Sequence, residues 1–373
     1  METAMTSLMD LKIDEAVRIH QEGILFLEAG QLESARILLE KSIGLFIESV
    51  GPKHPDVANV LNGIGQLAMQ QNDFDLARRC YSRSWRICRP IVDCSEDDSI
   101  ARIAVHAMSN LGNLEREAGN WTQAGSLLRR SVRLARKCLG DNDLDTSIAL
   151  NMLGMWCKFT GRFELGRKCY RFAMKIQRQH CDSREARRSS EIAGLYHNMG
   201  GLEHSARNFP LAERYARNSV AIRRRVIGTS HPDYASDIGG LAAIIADQGR
   251  ADEAELLYRE ALKIFEGIYG VEHYEIAVLL HNLAAVEVAR ERFDSAWELY
   301  GQSAKMKERL LGLDHPDLAM TLHNLAVLAY ELDRKTIASD YCRQALSIFE
   351  KNLVPSHPTL LACREVAAAL AIR

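Results

Sequence analysis

From Leu241 the chain reads LAAIIADQGRADEAELLYREALKIFEGIYGVEHYE; from Leu283, LAAVEVARERFDSAWELYGQSAKMKERLLGLDHPD; from Leu325, LAVLAYELDRKTIASDYCRQALSIFEKNLVPSHPT. Three near-copies stand end to end. Ala254, Ala296 and Ala338 fall 42 residues apart, and so do His231, His273, His315 and His357. A fixed period of this length marks stacked supersecondary units, each of which buries its apolar side only against its neighbours.

The same unit can be followed back to the start of the chain. One small slot holds Ala35, Ala77, Ala124, Gly166, Ala212, Ala254, Ala296 and Ala338. A second, earlier slot holds Gly23, Gly65, Gly112, Gly154, Gly200, Ala242, Ala284 and Ala326. Bulky residues precede the first slot by three (Leu32, Phe74, Trp121, Phe163, Phe209, Phe293) and follow it by four (Leu39, Tyr81, Leu128, Tyr170, Tyr258, Tyr300). Such spacing describes a pair of helices crossing at two small residues, with an aromatic filling the wedge between them. Glycines at 30, 119, 161 and 249 stand where the first helix must end, and glycines at 51, 140, 228, 270 and 312 where the second ends. The His-Pro-Asp triplets at His54, His231 and His315 then open the next first helix, with proline suited to its first turn. Two repeats carry insertions, RPIVDCSEDDSIARI and RQHCDSREARRSSEI; the former reads as a solvated connection, the latter as a helix extension or a loop.

This pattern resembles the tetratricopeptide repeat, and the 42-residue unit with its LGxxHP turn is similar to the kinesin light chain type. The resemblance implies an all-α, right-handed superhelical solenoid. On this reading residues 1–13 are an N-terminal leader, 14–356 are eight repeats and 357–373 are a closing helix. Within that closing helix Leu361, Val366 and Leu370 form a stripe that no following repeat covers, so self-association there is expected.

Bulk properties exclude several classes. The 373 residues are 47% hydrophobic and 26% charged with net charge −2, which describes an ordered chain that is no general polyanion binder. Nine cysteines without a CxxC pair argue against a disulfide framework or a zinc ribbon. No apolar run approaches the ~20 residues of a membrane span, and METAMTSLMDLKIDEA lacks a signal-peptide core, so a cytoplasmic protein is expected. There is no GxSxG elbow, no GxxxxGK[ST] loop and no HExxH, and one histidine per repeat does not converge on a single ion. The chain reads as a non-enzymatic protein with no metal and no cofactor. Cys342, in the aromatic slot of its repeat, is expected to be buried and inert.

The function must then lie in binding. Just before the leucine of the first helix, one column holds Asn110, Asn198, Asn282 and Asn324; its neighbour holds Asn62, Ser109, Asn151, His197, His281 and His323. An asparagine both donates and accepts, so a column of them can pair with the main chain of an extended peptide of any sequence. The resemblance points the same way, because the matching asparagines of kinesin light chain-type repeats line the concave groove. Gly63, Met152 and Gly240 interrupt the ladder, and Arg116, Glu117, Lys158, Asp247 and Glu331 are scattered charges nearby. Charge is also uneven: residues 129–225 hold 21 Lys+Arg against 9 Asp+Glu, a net +12. RRSVRLARK and the RRR at 223–225 fall on second helices, the convex wall, which is either a solvated face or a dock for an acidic protein surface. Exposed aromatics are not interleaved there, which argues against nucleic acid. The expectation is a scaffold or adaptor binding a peptide or protein segment in its concave groove. The alternatives are a peptide-sensing receptor or the regulatory arm of a larger effector protein.

Overall fold

The structure is a computed structural model that describes residues 2–71, 73–92, 97–180, 185–353, 355 and 358–370. Among these residues the chain forms seventeen α-helices and no strand. It divides into two compact units, Met1–Ala206 and Arg207–Arg373. The first contains α1 (Glu2–Glu28), α2 (Leu32–Val50), α3 (Pro55–Gln70), α4 (Phe74–Cys88), α5 (Asp98–Glu117), α6 (Trp121–Cys138), α7 (Leu144–Phe159), α8 (Phe163–Gln179) and α9 (Glu185–Ser205). The second contains α10 (Phe209–Val226), α11 (Pro232–Asp247), α12 (Ala251–Tyr269), α13 (Tyr274–Ala289), α14 (Phe293–Leu311), α15 (Pro316–Glu331), α16 (Lys335–Asn352) and α17 (Pro358–Ala369). Within each unit consecutive helices pack on one another in the manner of repeated pairs, and the chain is an all-α repeat solenoid.

Local chemistry sets each boundary. First helices open on a side chain that caps them. Nδ1 of His54, His231, His273 and His315 accepts from the backbone N–H of Asp56, Asp233, Glu275 and Asp317 at 3.1–3.3 Å. Asp97 and Asp143 do the same in their repeats. In α3, α7, α11, α13 and α15 the acidic residue at the second position then faces the positive end of the helix dipole. His357 and the segments 93–96 and 181–184 lie outside the described residues. Between the paired helices the backbone turns through a left-handed residue at the repeat period. Gly30, Gly119, Gly161 and Gly249 fill this position in four repeats, but Arg207, Glu291 and Asp333 hold it at φ 59°, 58° and 56°.

The small slots make the close crossings. A Cβ added to Gly65 would meet Tyr81 Cε1 at 2.4 Å, and one added to Gly154 would meet Tyr170 Cε1 at 2.6 Å. The wedge is filled by the residue four after the other small slot: Leu39, Tyr81, Leu128, Tyr170, Tyr258, Tyr300 and Cys342 are all buried. The bulky residue three before that slot does less than its size suggests. It stands at the first position of the second helix, and Trp121 there stays 38% exposed. A tie invisible to hydrophobic patterning also recurs. Ser42, Ser131 and Ser303 each donate to the carbonyl 26 residues earlier, at Ala16, Val105 and Ala277.

Three expectations can be set against the helices. The two insertions surface mainly as longer first helices: α5 has 20 residues and α9 has 21, against 16 in α3, α7, α11, α13 and α15. Residues 2–13, read as a leader, form the opening turns of α1. In α17 the face against the repeat before it is Leu360, Cys363 and Ala367, with Val366 and Leu370 packed beside them; of the stripe expected to be uncovered, only Leu361 is exposed.

Candidate functional site on the first helices

In the first unit, first helices of successive repeats touch one another (α1 with α3, α3 with α5, α5 with α7, α7 with α9), and no two second helices approach as closely. In the second unit α11 and α13 touch in the same way. Tighter spacing in one layer bends the stack toward it, so the first helices form the inner face of each unit. The asparagine and histidine columns lie on these helices.

The two columns do not stand free. They hydrogen-bond to each other across the joint between repeats. Asn198 Nδ2 on α9 donates to Asn151 Oδ1 on α7 at 3.0 Å. Asn324 Nδ2 on α15 reaches His281 Nε2 on α13 at 3.2 Å and Tyr300 Oη at 3.3 Å. His281 is therefore an acceptor at Nε2 and a donor from Nδ1, which bonds Thr321 Oγ1 at 3.0 Å. Thr321 Oγ1 also accepts from the buried Lys307 ammonium at 3.1 Å and donates to the Asp317 carbonyl. Burial, with Lys307 adding to it, pushes His281 down to about 4, so its ring is neutral near pH 7. Burial likewise lowers Lys307 and His323.

Asn62 is 5% exposed and donates to the Ile103 carbonyl on α5 at 3.1 Å, a clamp between α3 and α5. Ser109 is buried too, against Ser131 Oγ at 2.7 Å. His197 is half-buried on α9 beside Asn198.

That leaves Asn110, Asn282 and His323. Asn110 Nδ2 is buried and unpartnered, and so is Oδ1 of Asn62 one repeat earlier, whose own Nδ2 is turned to the Ile103 carbonyl. Asn110 lines a cleft of about 250 Å³ with Leu27, Gln66, Met69, Tyr81 and Asn113. Asn282 carries no side-chain hydrogen bond among the described residues, because the facing position in the repeat before it is Gly239. His323 Nδ1 is buried and unpartnered at the last repeat. The scattered charges prove to be partly assembled. The Arg116 guanidinium and the Lys158 ammonium each stand 5.0 Å from the Phe159 ring centroid, and Lys158 is lowered by burial and then by Arg116. Sequence spacing could place the two cations one repeat apart, but not on one ring.

On the outer helices, one of the expected basic residues turns inward. Arg223 is largely buried and pairs with Asp233 at 3.0 Å and Asp237 at 3.4 Å, so it belongs to the joint between α10 and α11 and not to an outer wall. Among the described residues no three His, Cys, Asp or Glu side chains are grouped to hold a metal ion, and no helix is long and apolar enough to cross a membrane. Cys342 is buried, with its thiol 3.8 Å from the Cys363 carbonyl.

Comparison with known proteins meets this geometry at the level of fold. No curated protein matches the chain. Solved structures similar to it include BtubC (BKLC) from P. vanneervenii, 20% identical, covering 64% of this chain and 92% of that one with TM-score 0.52. Another is a Rap protein complexed with competence and sporulation factor, 14% identical, covering 91% and 98% with TM-score 0.57. A third is a putative kinesin light chain with nearly identical TPR-like repeats from Podosopora anserina, 20% identical, covering 54% and 94% with TM-score 0.44. The tetratricopeptide repeat profile matches residues 15–89, 103–179, 191–267, 236–309 and 275–351, the same helix pairs described above, and the chain belongs to the tetratricopeptide repeat family.

Proposed function

We propose that the chain is a protein–protein interaction scaffold that takes an extended peptide or protein segment along the inner face of its first helices. The carrying observation is Asn110. A buried amide N–H without an acceptor costs about 1–3 kcal/mol, and a main-chain carbonyl laid into the cleft beside Gln66 and Asn113 would satisfy it. Asn282 offers a second unspent amide in the other unit. The paired asparagines, Asn151 with Asn198 and Asn324 with His281, hold the repeats in register and present only their remaining polar atoms. Recognition on this reading rests on main-chain hydrogen bonds and apolar contact with residues such as Leu27 and Met69.

A peptide-sensing receptor is the second reading. It is favoured by the likeness to the Rap protein solved with competence and sporulation factor, which extends over 91% of this chain. In that case one short peptide should bind and raise the melting temperature of both units.

The test is titration calorimetry with peptides selected from a random library against the intact chain. Asn110→Ala or Asn282→Ala should weaken a selected peptide by about 3- to 10-fold, the value of one hydrogen bond. Raising salt from 50 to 200 mM should weaken it less than about twofold, since few ion pairs are screened. A peptide that binds the Asn110→Ala, Asn282→Ala double variant as tightly as the parent removes the inner face from consideration.

A further inference from the structure

The outer helices of three successive repeats, α4, α6 and α8, hold four, five and five Lys+Arg and one, none and one Asp+Glu, a formal charge of +12. The whole chain is at −2, so everything outside these helices sums to −14. The cations are arranged in columns at the repeat register. Nine residues after the small slot stand Arg86, Arg133 and Lys175; six after it stand Arg83 and Arg130, and then Phe172. All five cations are exposed, and none has a carboxylate within ion-pair distance among the described residues. Elsewhere on the chain exposed arginines are commonly paired, as Arg36 is with Glu33 and Glu40, and Arg250 with Glu213 and Glu253. Others on these helices are paired, Arg78 with Asp75 and Glu115, Arg136 with Asp141, and Arg167 with Glu164 and Glu203, but the five columnar cations are left to repel one another.

We infer that this strip is a docking surface for a short, carboxylate-rich polypeptide segment of a partner protein. The guanidinium groups are partly preset for it. Arg130 lies over the Trp85 ring at 5.8 Å and Arg129 over Trp156 at 5.2 Å, which orders the side chains while leaving N–H edges free for a carboxylate fork. Nucleic acid fits less well. The one exposed aromatic among the columns, Phe172, is already covered by Arg136 at 5.6 Å, so no platform for base stacking remains. A smooth outer helix face also sends no element into a groove. A long polyanion would run on to α2, where three glutamates outnumber Arg36 and Lys41, whereas a short acidic segment ends with the strip.

The experiment uses the intact chain and a fluorescein-labelled 15-residue oligoglutamate, with a single-stranded and a duplex oligonucleotide of similar length as competing probes. The expected result is that oligoglutamate binds in 50 mM salt and weakens at least about tenfold at 200 mM. The variant Arg133→Glu with Lys175→Glu should lose at least about tenfold in affinity. The control variant Lys263→Glu with Lys305→Glu, which reverses the same slot on α12 and α14, should stay within about twofold. Melting curves establish that each variant is folded, and Gln replaces Glu at 133 and 175 if the reversed pair is not. Absence of oligoglutamate binding at 50 mM overturns the inference, as does equal loss in both variants or no loss in the first. Tighter binding of either oligonucleotide overturns it in favour of a nucleic-acid surface. Neither pair touches Asn110 or Asn282, so the outcome is independent of the inner-face reading.

Discussion

Glu291 occupies a backbone position that four other repeats give to glycine. Its φ of 58° places Cβ against the following carbonyl, a strain of about 1–2 kcal/mol for an L-residue, and it forms no ion pair among the described residues that would compensate. Glu291→Gly is therefore expected to stabilise the chain by up to about 1 kcal/mol in urea titration, the relief being reduced by glycine's extra freedom when unfolded. Gly249→Ala, at φ 80° in the equivalent turn, should do the reverse. His281 supplies the pH dependence. Its folded-state value is depressed from 6.5 to about 4 by burial, so between those values the unfolded chain binds the extra proton and stability falls as pH falls. Going from pH 7 to pH 5 should cost about 2 kcal/mol through this residue alone. His20, His273 and His323 are also lowered by burial and act in the same direction. Replacing His281 by Gln should flatten the dependence of the melting temperature over that window. An unchanged slope would mean that the ring is not held neutral by its surroundings.

Two glycines of neighbouring repeats show how a helix pair is held. Gly65 on α3 is pressed against the Tyr81 ring of α4, and the ring is itself 1% exposed and cannot give way. Gly44 on α2 has nothing within 4 Å of where a Cβ would stand. The same Gly→Ala change should therefore have opposite signs. Gly65→Ala is expected to overpack the crossing and destabilise by about 1–3 kcal/mol. Gly44→Ala should stabilise by about 0.5–1 kcal/mol through helix propensity alone. Equal effects in chemical denaturation would show that the crossing is looser than its geometry.

Contacts in this molecule run between neighbours along the chain, and its two units each hold their own core. A repeat array of this kind need not unfold as one cooperative block. Hydrogen exchange of the Gly65→Ala variant should show lost protection in helices near α3 and α4, with α13 to α16 exchanging as in the parent. Uniform loss of protection along the chain would instead make the array a single cooperative unit.

The 42-residue period, the small residues at the crossings and the turn glycines were enough to fix consecutive helices in pairs, because each repeat meets only its neighbours and local spacing is nearly the whole of its geometry. His231, His273 and His315 were legible as helix starts from their period, though not that Nδ1 of each caps the helix. The asparagine column was legible as a column, but its chemistry was not. Whether an amide is spent or free depends on the side chain one repeat away: Asn198 finds Asn151, Asn324 finds His281, Asn62 turns to the Ile103 carbonyl, and Asn110 is left without a partner. Arg223 illustrates the same limit, since a run of three arginines cannot show which of them lies over the next helix's aspartates. Periodicity specifies the backbone because backbone packing repeats. Hydrogen-bond pairing across the joints does not repeat, so it is decided only once the helices are in contact.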